Sequence, residues 1–177
     1  METACRGGID PGKKGFVVLI VGDGKHESFP IPTIKGKVYD NQAVKLLFSG
    51  FAGKYKDLHF VLEGVNSDPK WGAVTNWDLG NCLGMLEQVL TDFEIPFTKV
   101  NPRLWQKEMW QGIKVIKKPS STGKTMVNDT KAMSEVAVKR LFPHVDFNIT
   151  AIGGKSKNFN DNFGDAMLMA EYCRRKF

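Results

Sequence analysis

The sequence predicts an α/β domain layered around a mixed sheet. Three observations carry this: strand-like segments crowd the first thirty residues, strand and helix patterns alternate thereafter, and 42% of the 177 residues are apolar, enough for one sizeable core. Phe16-Val17-Val18-Leu19-Ile20-Val21 is a strand-sized apolar run, Asp23-Gly24 is a two-residue turn signal, and Glu27 to Ile31 continues as the second strand of a hairpin. A third short strand is predicted through Lys35 to Val38. Asp40-Asn41 offers a helix cap, and Val44, Leu47, Phe48 and Phe51 recur at helical spacing up to Gly53. Leu58 to Leu62 is a compact apolar strand ending in Glu63.

From Asn76 to Phe93 the residues Leu79, Cys82, Leu83, Leu86, Val89, Leu90 and Phe93 fit an amphipathic helix. Gly80 and Gly84 leave a face on it where another backbone can approach, through core packing or through a subunit contact; Trp77 is expected in the core. Phe97 to Val100 reads as a strand, Asn101 as a cap, and Pro102 as the first turn of a short helix through Met109. Residues 112–127 read as a basic loop, after which Asn128 or Asp129 caps a helix with Met133, Val136, Ala137 and Leu141 that stops before Pro143. Gly153 to Lys157 is a second flexible basic stretch, and a last helix is predicted from about Phe163 to Arg175. With no internal repeat and no linker, residues 1–177 are expected to form a single domain.

Several classes fall away. No apolar run approaches the ~18–20 residues of a membrane span, and Met1 to Arg6 carry no apolar signal segment, so a cytoplasmic or nucleoid setting, or the cytoplasm of a phage-infected host, is expected and a membrane partner is not. Cys5, Cys82 and Cys173 are odd in number and far apart, as reduced thiols would be. The net charge of +6 is local: residues 1–98 hold 10 Lys and Arg against 12 Asp and Glu, whereas residues 99–177 hold 15 against 7. Lys99, Arg103, Lys107, Lys114, Lys117, Lys118 and Lys124 face only Glu108, with Trp105 and Trp110 among them, which suits a phosphate backbone as well as it suits a solvated basic face.

Three acidic positions stand where structure alone would not choose them. Asp10 ends the run Gly7-Gly8-Ile9 beside the glycine-bracketed bend Pro11-Gly12-Lys13-Lys14-Gly15; Glu63 ends a central strand; Asp161 and Asp165 are four apart on one face of the last helix. Carboxylates at two strand ends and a helix start can gather around hard divalent cations, and two such ions ~3.5–4 Å apart can activate water and stabilise the leaving oxygen of a phosphodiester.

These residues resemble the RuvC family of Holliday junction resolvases. The resemblance rests on Gly8-Ile9-Asp10-Pro11-Gly12 with Gly15, on Val61-Leu62-Glu63-Gly64-Val65, and on Asp161 through Gly164-Asp165-Ala166-Met167-Leu168-Met169-Ala170. Between them, Asn101-Pro102 with Trp105, and Asp129 through Lys131, Ser134 and Leu141-Phe142-Pro143, are similar to plant chloroplast resolvases and to phage and bacterial RuvC-like proteins. The resemblance implies an RNase H-like fold, a mixed five-stranded sheet flanked by helices. It also implies a homodimeric, Mg²⁺-dependent endonuclease that nicks four-way junctions in paired, symmetric fashion, with two ions per site and Mn²⁺ as a possible substitute. Asp10 would then bridge both metals, Glu63 would hold one, and Asp161 and Asp165 would complete the set. Bacterial RuvC proteins space the last two residues three apart, which here would select Asn162; the wider chloroplast-type spacing selects Asp161.

The same resemblance puts helix 76–93 at the dimer interface and aims the segment from Val65 to Trp77 at the junction centre, where Trp71 or Trp77 would stack on an unpaired base. Lys70, Lys99, Arg103, Lys107, Lys117, Lys118 and Lys131 are the candidate phosphate contacts. Two other readings stay in view: a non-catalytic junction-binding protein, and an RNase H-like nuclease for other branched DNA. An actin-like phosphotransferase would need two copies of the fold, for which 177 residues leave no room. Ser120 to Thr125 ends like a nucleotide-binding loop but has Lys118 where that pattern requires glycine.

Overall fold

The computed structural model describes residues 4–64, 67–150 and 154–177. Met1 to Thr3, Val65 and Gly153, which the sequence analysis drew on, lie outside them. A five-stranded mixed sheet forms the centre. Its strands are β1 (Cys5–Asp10), β2 (Phe16–Val21), β3 (Lys25–Pro30), β6 (Leu58–Glu63) and β7 (Phe97–Val100), in the order β3-β2-β1-β6-β7. The first three run antiparallel as a meander, while β6 and β7 lie parallel to β1. Crossovers by helix supply the parallel pairs, which a tight turn cannot.

Two short strands, β4 (Thr33–Ile34) and β5 (Val38–Tyr39), make a separate hairpin. The strand expected through Lys35 to Val38 is therefore corrected: Lys35 and Gly36 have φ of 50° and 69°, so the chain reverses there instead of extending. Helix α1 (Asn41–Lys54) starts on Asp40, whose side chain accepts from the Ala43 N–H at 3.0 Å. Helix α2 (Ala73–Asp92) begins a turn earlier than periodicity implied, and α3 (Pro102–Met109) is capped by Asn101 as expected. The basic segment 112–127 is a loop only in part, because β8 (Lys117–Pro119) pairs with β9 (Met126–Asn128) as a two-stranded ribbon. Asp129 caps α4 (Thr130–Leu141), and Asn160 caps α5 (Asp161–Lys176), which starts at Asp161 and so two residues before the predicted Phe163.

Alternation along the strands splits the core in two. On one face Ile9, Val17, Leu19, Phe60 and Leu62 pack with Phe48 of α1 and Leu86 and Leu90 of α2. On the other, Phe16, Val18, Ile20 and Val61 pack with Trp105 of α3, Ala137 and Val138 of α4, and Phe163 and Met167 of α5. Gly8 decides how closely α5 approaches. A Cβ there would lie 2.2 Å from the Ala166 carbonyl oxygen and 2.3 Å from the Ala170 nitrogen, so α5 rests directly on the backbone of β1.

Candidate metal and nucleic-acid site

Register brings the first two carboxylates together. Ile9 pairs with Leu62 across the parallel β1–β6 ladder, so the next residues, Asp10 and Glu63, end neighbouring strands side by side. Both project to the α5 face, because Ile9 and Leu62 occupy the opposite one. The contact at Gly8 then sets the start of α5 over the end of β1, with Asp161 in the first turn and Asp165 one turn further on. Asn160 fixes that turn: its Oδ1 accepts from the Phe163 N–H at 3.1 Å while its Nδ2 donates to the Ile149 carbonyl at 2.7 Å.

The four carboxylates share one electrostatic environment. Burial pushes the Asp10 carboxyl well above its ordinary value, and Glu63, Asp165 and Asp161 push it further, with Lys131 opposing. Asp165 is pushed up to about 7, mainly by burial, against a hydrogen bond from the Ser134 side chain that favours its ionised form. Burial raises Glu63 as well, moderated by the Trp105 indole, whose Nε1–H donates to Glu63 Oε1 at 3.0 Å. Lys131 of α4 pairs with Asp161 at 2.5 Å.

Among the described residues no three His, Cys, Asp or Glu side chains are arranged to hold one ion jointly. The chemistry of the donors nevertheless fits a hard divalent cation. All four are oxygen donors, the negative charges of Glu63 and Asp161 raise the proton affinity of both Asp10 and Asp165, and Asp165 Oδ1 is buried with no hydrogen-bond partner. Burying like charges together is unfavourable unless something positive joins them, and Lys131 alone supplies one charge.

Trp105, Ser134 and Lys131 make up a supporting shell. The sequence marks Trp105 and Ser134 only as part of the resemblance; their contacts with Glu63 and Asp165 join residues far apart in the chain. Asn162, the alternative to Asp161, lines a cleft beside the site together with Asp161.

The expected phosphate contacts are scattered in circumstance. Lys99 is paired with Glu87 at 2.7 Å, Lys118 with Asp129 at 3.1 Å, and Lys131 with Asp161. Lys70, Arg103, Lys107 and Lys117 are exposed. Trp71 is 41% exposed and lines a cleft of about 390 Å³ with Pro11, Gly12 and Tyr39, next to the turn that follows Asp10. Trp77 is 74% exposed, so its expected place in the core is corrected. Cys82, Leu86, Val89 and Leu90 turn the buried side of α2 inward, and Trp77 lies on the side with Gly80 and Gly84.

No family model matches the sequence, and no curated protein matches it either. Solved structures do match in shape. RuvC of T. thermophilus in complex with a Holliday junction substrate aligns over 94% of this chain and 90% of that one, with a TM-score of 0.56 and 13% sequence identity. Another T. thermophilus RuvC structure aligns over the same shares at 14% identity and a TM-score of 0.47. The chain therefore has a RuvC-like form of the RNase H-like fold, with a mixed five-stranded sheet flanked by five helices among the described residues. No helix among the described residues is long and apolar enough to cross a membrane.

Proposed function

We propose that this chain, as one domain over residues 1–177, is a structure-selective endonuclease that resolves four-way DNA junctions by paired, symmetric nicks. The observation that carries it is the gathering of Asp10, Glu63, Asp161 and Asp165 at one end of the sheet, with Asp165 Oδ1 left unpartnered, in a fold shared with a protein seen on a junction substrate. Asp10, Glu63, Asp161 and Asp165 would hold Mg²⁺, with Mn²⁺ as a possible substitute and two ions per site; bound there, the ions would supply an activated water and stabilise the leaving oxygen. Trp105 holds the Glu63 carboxylate in place, Ser134 favours ionised Asp165, and Lys131 balances the charge of Asp161 until a cation or phosphate arrives.

Two surfaces support the substrate geometry. Lys70, Arg103, Lys107 and Lys117 leave exposed ammonium and guanidinium groups for phosphates, with Lys99, Lys118 and Lys131 able to exchange a carboxylate partner for one. The outer side of α2, with Val74 and Trp77 75% and 74% exposed beside Gly80 and Gly84, is suited to a second copy of the chain, so that two sites face two strands.

The test is nicking of a labelled synthetic four-way junction beside a linear duplex of the same sequence, with Mg²⁺, with chelator, and with Asp10→Asn. Metal-dependent paired nicks on the junction alone, absent in the variant, are expected. Equal cutting of junction and duplex would remove the structure selectivity, and binding without cutting would make this a junction-binding module.

A further inference from the structure

A second cleft, of about 380 Å³, opens beside Asp161 and shares only Lys13 with the cleft that Trp71 lines. Its apolar walls are fixed. Ile31 is 3% exposed, and the Phe159 ring is held against Phe147 and fills the space that a side chain at position 164 would need, since a Cβ on Gly164 would lie 2.4 Å from the ring.

Its polar groups divide sharply by how they are used. Lys13 is bound to Asp78 at 2.6 Å, and the Asn160 carboxamide is consumed in capping α5. By contrast, among the described residues the side chains of Lys14, Asn158 and Asn162 have no hydrogen-bond or ion-pair partner, although all three line the cleft. Two carboxamides, each offering a donor pair and an acceptor, one ammonium and two apolar walls meet the needs of a nucleotide: a flat base with a mixed donor and acceptor edge, and a phosphate.

We propose that this cleft seats one nucleotide of the cleaved strand, immediately beside the scissile phosphate. Its base packs against Ile31 and Phe159, Asn158 and Asn162 read the base edge, and Lys14 takes the adjoining phosphate. This rests on the nuclease reading above and adds to it the residues that set sequence preference at one position.

The experiment places 2-aminopurine, in turn, at each of the two positions flanking the exchange point of a four-way junction. Fluorescence is read in chelator, where no cutting occurs, with overall affinity followed by anisotropy. Wild-type protein is expected to change the emission at least twofold at one position and not at the other. Asn158→Ala with Asn162→Ala should lose that change while junction affinity stays within about threefold, and Lys14→Ala should weaken it along with some affinity. A bound junction with no position-dependent change, or a double variant that keeps it, overturns the cleft's role and leaves the nuclease reading standing. Failure of the wild-type protein to bind the junction at all overturns both.

Discussion

Asp10 sits where a carboxylate is held most unfavourably, enclosed by protein and facing three others. Asp10→Asn keeps the shape and removes the charge. It should abolish incision, by at least 10³-fold in the nicking assay, while leaving junction binding in place. Asp165 carries a pH signature. Its folded value of about 7 lies above that of an unfolded aspartate, so between about pH 4 and 7 the folded state holds the extra proton, and this residue's contribution to stability falls as pH rises. Metal-free wild type and Asp165→Asn should therefore melt alike near pH 4. Above pH 7 the variant should melt higher by roughly 10 °C, a gap that Mg²⁺ closes by binding the wild type alone. Thermal melts over that pH range, with and without metal, check both parts. Trp105→Phe removes the hydrogen bond to Glu63 and retains an aromatic ring in the core; metal affinity, titrated through incision rate, should weaken about 10-fold or more.

At the scale of elements, the seating of α5 on β1 brings Asp161 and Asp165 towards Asp10 and Glu63. Gly8→Ala inserts a methyl group where 2.2 Å is available, and neither neighbour can give way because both are backbone atoms of α5. A loss of about 3 kcal/mol or more in denaturant melts is expected, with incision falling even under conditions where the variant is folded. The ribbon of β8 and β9 belongs to the same scale. Its base is tied to the start of α4 by the Asp129 N–H donating to the Ile116 carbonyl at 2.8 Å and by the Lys118–Asp129 pair, two residues before Lys131. Composition alone could show this stretch to be basic and glycine-punctuated, but not that it pairs with itself. The turn at Lys35 and Gly36 was illegible for a related reason: the apolar residues flanking it suggest extension, and only the positive φ angles reveal the reversal.

Over the whole molecule, the proposed function makes charge and symmetry the features to test. Because the basic excess is confined to residues 99–177, junction affinity should fall steeply with salt. Lys107→Ala with Lys117→Ala should reduce the slope of log affinity against log salt by up to about two, measured by anisotropy; an unchanged slope would remove both from the interface. The exposed side of α2 gives the second test: Trp77→Asp should convert a dimer to a monomer in sedimentation velocity and uncouple the paired nicks, leaving single ones.

What the sequence by itself determined is what depends on neighbours along the chain: strand and helix periods, the caps at Asp40 and Asn101, a cap at Asn128 or Asp129 that the structure assigns to Asp129, and the placing of Asp10 and Glu63 at strand ends and of Asp161 and Asp165 on one helix face. Those follow from local backbone geometry and from the alternation of apolar and polar side chains. Only the tertiary structure decided which separate pieces meet. The parallel register of β1 with β6, the contact of α5 at Gly8, the indole of Trp105 on Glu63, and the outward turn of Trp77 all join residues distant in the chain or depend on which side of an element is covered. The physical reason is that a side chain's burial and its charge neighbours are properties of packed space, and packing is settled by the sheet and its helices together.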